Sequence, residues 1–256
     1  MPFLRNNYSV SAQASGGATE SPAGIEFSLE FLDEILRVVP SAVCPQICRL
    51  CPSGQGSARD QCLLDEHIRI GIEDAKLTLG MCEPSVFVIS PAEVEAIIRE
   101  KEFPQVPHGA ALILFVLSNR TSAKHSSSGT HWTFLAYSSQ LGAVHFDSID
   151  PQVPSSLLKA DAVHQLVLQA PEFPQALLGH GPILRRGSMF KQQNEVDCGI
   201  FVLLGVEQLH QQTRLPEEES MEAAKRKKAR MIKLCNALWE RKTFLGGIGH
   251  AGHARF

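Results

Sequence analysis

Apolar side chains recur with helical spacing over the first third of the chain. Residues 27–39 and 63–79 place an apolar residue every three or four positions, which predicts two amphipathic helices. Residues 40–61, between them, hold prolines, glycines and three cysteines, a composition that predicts a loop or insertion. The short apolar run 86–89 precedes Ser90-Pro91, an N-cap and first-turn pair that predicts a further helix through residue 98.

The centre of the chain changes to β-type patterns. Residues 111–117 are all apolar, which predicts a buried strand. Two shorter runs, 131–137 and 143–147, flank a Ser-Ser-Gln-Leu-Gly turn and predict a β-hairpin. If the turn centres near residue 140, paired positions sum to about 280, so His131 faces residue 149 with Asp147 on a neighbouring or diagonal position. The hairpin therefore predicts that His131 and Asp147 lie close together at its open end.

Helical patterns dominate the last hundred residues. Residues 155–170 suit a helix, and 183–190 could form one more strand. Residues 200–206 are apolar on all sides, which predicts a buried helix with Cys198 at its N-terminus. The charged segment 217–242 is helical by composition.

These patterns indicate an α+β fold with a β-rich centre. We expect one domain over residues 25–245, which includes the Cys/Pro-rich loop 40–61. Residues 1–24 have little to bury and are expected to form a disordered leader. Residues 246–256 are rich in glycine and histidine and are expected to form a flexible tail.

Composition narrows the class of protein. The chain has 256 residues, 44% of them hydrophobic and 20% charged, which is typical of a globular domain. Its net charge of -3 gives no argument for nucleic acid or an acidic membrane surface, and no apolar run reaches membrane-spanning length. The N-terminus lacks a signal-peptide core, so we expect an intracellular protein in the cytoplasm and/or nucleus. Seven cysteines, an odd number, favour reduced thiols over a disulfide framework.

Four residues at the edges of apolar runs carry candidate chemistry. His131, Asp147, Gln192 and Cys198 supply a base, an orienter for the base, an oxyanion donor and a nucleophile. A free thiol has a pKa of about 8.5, and a helix N-terminus or a nearby imidazolium would lower it. Taken singly, a cysteine before an apolar helix is usually a small buried hydrophobe. The four together indicate a thiol hydrolase.

The motifs around these residues carry a family resemblance. Gly129-Thr130-His131-Trp132, Phe146-Asp147-Ser148 and Gln192-Gln193-Asn194 before Asp197-Cys198-Gly199 resemble the Ulp/SENP family of ubiquitin-like-protein-specific cysteine proteases. Leu64-Asp65-Glu66-His67-Ile68 and Val86-Phe87-Val88-Ile89-Ser90-Pro91 are similar to the substrate-binding region of its deneddylase branch. The resemblance implies a papain-like core with a central mixed sheet flanked by helices. It implies neither a cofactor nor a metal.

The resemblance also implies a substrate and residues that bind it. The partner is a ubiquitin-like modifier, Nedd-type before SUMO, on conjugates such as cullin-type targets or as a precursor, and the enzyme acts as a monomer. Trp132 is expected to cover the channel for the Gly-Gly tail of the modifier. Leu63 stands where the family has a second tryptophan. Asp65 and Glu66 replace an Asn-Asp pair and are expected either to contact the modifier or to serve as helix capping and dipole residues.

Two functions of other classes remain open at this point. The chain could be a catalytically silent modifier-binding module, or an acetyltransferase that uses the same triad.

Two further motifs have competing interpretations. Cys44, Cys48 and Cys51 have C-x3-C-x2-C spacing, which is compatible with an Fe–S cluster of radical-SAM type or with zinc completed by Cys62 or His67. Free thiols in a loop are the favoured interpretation. The basic run 225–230 is read either as a nuclear-import signal or as the solvated face of a helix.

Overall fold

The computed structural model describes most of the chain outside its termini and one long internal segment. Described are residues 26–39, 63–81, 85–119, 131–149, 154–179, 181–187, 189, 191–192, 194, 196–211 and 217–251. The predicted leader 1–24 and loop 40–61 therefore lie outside the described residues. So do the cysteines at 44, 48, 51, 62 and 82.

Five strands of the described part of the chain form one mixed sheet in the order β1-β2-β3-β4-β5. The strands are β1 Val86–Ile89, β2 Leu112–Ser118, β3 Trp132–Ser138, β4 Gly142–Phe146 and β5 Arg185–Arg186. The outer pairs, β1 with β2 and β4 with β5, are parallel, and the two inner pairs are antiparallel.

Among the described residues, six α-helices pack around the sheet. They are α1 Leu29–Val38, α2 Asp65–Leu79, α3 Pro91–Glu100, α4 Pro154–Gln169, α5 Cys198–Gln211 and α6 Glu217–Ala251. One hydrophobic core joins α1, α2, α5 and α6 to one face of the sheet, and a second core joins α3 and α4 to the other. All seven residues of β2 are buried because helices cover both of its faces. The expected α+β architecture, a mixed sheet flanked by helices, is confirmed.

Local sequence signals set the helix ends. Ser28 caps α1 by accepting a hydrogen bond from the Phe31 N–H. Ser90 and Glu93 form a reciprocal capping box at the start of α3, with Pro91 as its first residue. The sequence predicts the start of α3 from Ser90-Pro91, whereas the Ser28 cap of α1 is seen only in the structure.

The β3–β4 hairpin has the register that the sequence predicts. Leu135 pairs with His145 and Ser138 with Gly142, so that each pair of residue numbers sums to 280. His131 comes directly before β3, and Asp147 comes directly after β4. When the register is extended to these two positions, Asp147 lies diagonally across from His131.

Two element boundaries differ from the sequence prediction. Of the described residues in the predicted strand 183–190, Arg185 and Arg186 pair with β4, and Ile183 and both arginines face solvent. Helix α6 continues to Ala251, past the predicted helix end at 242 and into the predicted tail.

The basic run 225–230 is not simply a solvated helix face, contrary to that interpretation. Lys227 is buried and contacts Asp74 and Glu207, and Arg230 forms a bidentate pair with Asp74. Lys227 and Arg230 face inward because α2 and α5 bring carboxylates to this side of α6, whereas Lys225 and Arg226 are exposed. Among the described residues, no helix combines the length and apolar character of a membrane span.

Candidate active site

The histidine and the aspartate singled out by the sequence are in direct contact. His131 Nε2 lies 2.7 Å from Asp147 Oδ1, and both side chains are buried. Asp147 Oδ1 also accepts the Ile149 N–H at 2.9 Å. On the other side, the His131 N–H donates to Asn119 Oδ1 at 3.1 Å, and the Asn119 N–H donates to the His131 carbonyl. Both partners are therefore fixed by backbone as well as by side chains.

This contact decides the tautomer of the imidazole. An ionised carboxylate can only accept hydrogen bonds, so the proton of neutral His131 resides on Nε2. The other ring nitrogen, Nδ1, is buried and has no hydrogen-bond partner among the described residues. A buried nitrogen lone pair of this kind is available to accept a proton from a reacting group.

Cys198 is the first residue of α5 and is almost fully buried, with 1% of its surface exposed. It is a thiol that takes part in no disulfide. The partial positive charge of a helix N-terminus favours the thiolate form. Helix α5 packs against β3, the strand that follows His131.

Gly199, the residue after Cys198, permits a close approach of two helices. A Cβ atom on Gly199 would lie 3.0 Å from the Leu63 side chain and 3.1 Å from Ile68 Cδ1. The first turn of α5 therefore packs directly on the start of α2. This packing brings Leu63, a predicted substrate-binding residue, against the residue that follows Cys198, the predicted nucleophile.

Gln192 is tied to the strand end that carries Asp147. Its backbone N–H donates to the Ser148 carbonyl at 2.9 Å, and its Oε1 accepts the Ser148 hydroxyl at 2.7 Å. Its Nε2 donates to the Asn194 carbonyl at 2.5 Å. The hydrogen bond from Ser148 to Gln192 Oε1 thus fixes the position of the side-chain amide. To donate to an oxyanion, Gln192 Nε2 would have to give up its hydrogen bond to the Asn194 carbonyl.

Trp132 and Leu63 contact each other. Trp132 Nε1 donates a 2.8 Å hydrogen bond to the Leu63 carbonyl, and the two residues are only 2% and 3% exposed. The structure thus brings the two predicted walls of the channel together, with neither facing solvent.

Asp65 and Glu66 lie in the first turn of α2, where negative charge complements the helix dipole. Neither is the capping residue, contrary to that interpretation. The N-cap is Leu64, whose N–H donates to His67 Nδ1 at 2.9 Å. A leucine side chain has no acceptor for the first N–H groups of the helix, and His67, three residues on, accepts the N–H of Leu64 itself.

A second histidine lies two residues before Asp147. Burial lowers the pKa of His145 to about 4, although the charge of Asp147 opposes this shift. Its Nε2 is buried and has no hydrogen-bond partner among the described residues. His145 is therefore neutral at neutral pH, so it does not compete with His131 for an ion pair with Asp147.

Sequence reasoning gave no role to three polar residues at the site. They are Asn119, Ser148 and Asn194, which fix the histidine, the glutamine and the loop before the nucleophile. Ser148 and Asn194 stand inside the quoted motifs, but Asn119 follows a strand and carries no signal that sets it apart.

The described residues offer no metal site. No group of three histidine, cysteine or acidic side chains among them is placed to hold an ion. His67, a proposed zinc ligand, uses Nδ1 to cap α2. Its proposed partners Cys44, Cys48, Cys51 and Cys62 lie outside the described residues.

Solved structures share this architecture. The SUMO protease Ulp1, with its catalytic cysteine oxidised to a sulfenic acid, is 14% identical with a TM-score of 0.53, over 84% of this chain and 98% of that one. The chain has the fold of the Ulp1 protease. The C-terminal Ulp1 protease domain in complex with Smt3, the yeast ortholog of SUMO, matches at 14% identity and a TM-score of 0.50, over 87% of this chain and all of that one. No family model and no curated protein sequence matches the chain.

Proposed function

We propose that this protein is a thiol protease that hydrolyses the bond after the C-terminal Gly-Gly of a ubiquitin-like modifier. The observation that carries the proposal is the buried His131–Asp147 pair, with Nδ1 of the imidazole available, next to β3, against which the helix that begins at Cys198 packs. The Ulp1-like fold supports it.

The proposed reaction proceeds in two steps. His131 Nδ1 takes the thiol proton, and Cys198 Sγ attacks the glycine carbonyl to form a tetrahedral oxyanion. The Cys198 N–H and Gln192 Nε2 donate to that oxyanion. Collapse breaks the C–N bond, and the imidazolium gives its proton to the leaving amine. Water, deprotonated by His131, then hydrolyses the thioester and releases the modifier as a carboxylate and Cys198 as a thiol.

Asp147 orients His131 and stabilises its charged form during the proposed reaction. Its carboxylate accepts the Nε2–H of His131 at 2.7 Å and stabilises the imidazolium that forms when Nδ1 is protonated. Burial of the pair excludes water, so this charge interaction is stronger than it would be at the surface.

The choice of modifier belongs to the same proposal. The upstream residues that resemble the deneddylase branch favour a Nedd-type modifier, with SUMO next. The similar solved structures are described as SUMO proteases, so they lend no support to the Nedd-type choice. Conjugates such as cullin-type targets, precursor processing, a monomeric state and a cytoplasmic or nuclear location are parts of this proposal that follow from the sequence.

A panel of three modifiers tests the proposal. SUMO, a Nedd-type modifier and ubiquitin, each with a C-terminal fluorophore, are compared by kcat/KM with the wild type and with Cys198→Ala. We expect cleavage of at least one modifier and its loss in Cys198→Ala, with modifier binding retained. Cys235→Ala is the matched control, because Cys235 is equally buried on α6. Equal hydrolysis by wild type and Cys198→Ala would remove the proposal, while a SUMO preference would remove only the Nedd-type choice.

A further inference from the structure

One cation of helix α6 reaches the loop that carries the nucleophile. Lys228 Nζ lies 2.6 Å from Asp197 Oδ1, and Asp197 is the residue directly before Cys198. Both side chains are largely shielded from solvent, at 31% and 17% exposure. The Asp197 carbonyl accepts the Phe201 N–H at 3.0 Å, so Asp197 also forms the start of α5.

From Asp197 a continuous set of hydrogen bonds runs toward the other half of the site. Asn194 Nδ2 donates to Asp197 Oδ2 at 2.8 Å, and Asn194 Oδ1 accepts the N–H groups of Val196 and Asp197. The Asn194 carbonyl accepts Gln192 Nε2, and Gln192 Oε1 accepts the Ser148 hydroxyl. The loop is thus held at one end by α6 and at the other by the residue next to Asp147.

The charge of Asp197 works against catalysis unless it is offset. A carboxylate on the residue beside a thiol disfavours the thiolate and raises the thiol pKa. The Lys228 ammonium neutralises that carboxylate at hydrogen-bond distance, which leaves the field of the helix N-terminus effective at Cys198.

We propose that Lys228 is a positioning residue for Cys198: through Asp197 it fixes the turn before the nucleophile and offsets the carboxylate beside the thiol. The inference rests on the proposed function only for its effect on turnover. It also assigns the basic run 225–230 a role inside the fold, where Lys227 and Arg230 hold Asp74 and Lys228 holds Asp197.

Other charged groups near the start of α5 are the same in every variant below. They are His131 and Asp147 from the strand ends, and Asp65, Glu66 and His67 from the first turn of α2. Because those groups do not change, a shift in the pH dependence reports on Lys228 and Asp197.

The test measures thiol reactivity directly. Full-length wild type and Lys228→Met are alkylated with iodoacetamide across pH 5–9, and modification of the Cys198 peptide is followed by mass spectrometry. We expect the apparent thiol pKa to rise by about one unit in Lys228→Met, with Cys198 alkylation at pH 6 slower by about tenfold. The kcat for modifier cleavage should fall with little change in KM.

Three further variants separate positioning from general stability. Lys225→Met on the same helix is the matched control, since Lys225 is exposed and pairs only locally with Glu222. Lys228→Arg keeps the charge and should restore most of the reactivity. Asp197→Asn combined with Lys228→Met removes both charges, and its thiol pKa should return toward the wild-type value.

Cys235 serves as an internal reference because it lies on α6 and is buried. If Lys228 only holds the helix in place, Lys228→Met should speed alkylation of Cys235, and the double variant should be no better than the single one. That pattern, or an unchanged Cys198 profile in Lys228→Met, overturns the inference. A wild type that cleaves no modifier overturns the proposed function, while the alkylation profiles still report on Lys228.

Discussion

The indole Nε1 of Trp132 donates a 2.8 Å hydrogen bond to the backbone carbonyl of Leu63, 69 residues earlier in the chain. This bond connects the start of β3, next to His131, with the residue two positions before α2. Leu63 also packs on Gly199, which follows the nucleophile. Through Leu63, Trp132 therefore connects the strand that follows His131 with the helix that begins at Cys198.

Trp132→Phe should loosen this connection. The variant keeps a large ring but leaves the buried Leu63 carbonyl without its donor, which costs about 1–3 kcal/mol of unfolding free energy. We expect kcat/KM to fall at the same time. Tyr137→Phe is the matched control, since it removes the buried hydrogen bond to His164 on the other face of β3. Equal losses of activity in both variants would show that Trp132 acts only through stability.

Asp147→Asn tests the orientation of the base. An amide can present its NH2 group to His131, which would favour the tautomer with the proton on Nδ1, the wrong nitrogen for accepting a thiol proton. We expect kcat to fall by roughly 10³-fold with only a small change in melting temperature. Asp161→Asn, an exposed site on α4, should leave kcat unchanged. A loss of less than about threefold in Asp147→Asn would contradict the role given to this pair.

His145 predicts how stability depends on pH. Its pKa is about 4 in the fold, because of burial, against 6.5 for the free side chain. Between these values the unfolded chain binds a proton that the folded one does not, so the free energy of unfolding decreases as pH falls through this window. The slope reaches about 1.4 kcal/mol per pH unit. Denaturant titrations at pH 7 and pH 4.5 should show a smaller difference for His145→Gln than for wild type, whereas exposed His108→Gln should not differ from wild type.

The buried charge of Asp74 is expected to make a large contribution to the free energy of unfolding. It is fully buried on α2 and contacts both Arg230 and Lys227 on α6. Burial alone would raise the pKa of its carboxyl, but these two cations outweigh that effect and lower it. Its contribution is therefore present at neutral pH and is lost as pH falls below the usual aspartate range.

Asp74→Asn should lower the free energy of unfolding by about 3–5 kcal/mol, because it leaves two cations without their shared anion. Glu222→Gln, in an exposed pair with Lys225, should change it by less than 1 kcal/mol. Chemical denaturation of both variants at pH 7 makes the comparison. Similar small effects would mean that water already screens Asp74.

The hairpin register was predictable because a turn of known position sets every cross-strand pair, and so the contact between His131 and Asp147 could be anticipated. The start of α5 at Cys198 followed from the apolar run after it. Lys228 could not be anticipated, because its contact with Asp197 depends on how α6 packs on α5. The inward orientation of Lys227 could not be predicted for the same reason, since a lysine in a basic run is normally solvated.

The short β5 and the capping role of His67 show what local patterns leave out. Ile183 has the β-type side chain of a strand residue, yet it is 72% exposed and lies outside β5. The cap of α2 uses a histidine at the third helical position, without the usual polar residue at the N-cap.

Covalent capture of the nucleophile tests the central claim most directly. SUMO, a Nedd-type modifier and ubiquitin, each with an electrophile in place of the C-terminal carboxylate, are incubated with wild type and Cys198→Ala. The account predicts a modifier-sized adduct on Cys198 for at least one of the three, and no adduct in the variant. Tight binding without an adduct would identify a silent modifier-binding module. Acetyl-CoA turnover with neither adduct nor cleavage would identify an acetyltransferase, and either result would contradict the account.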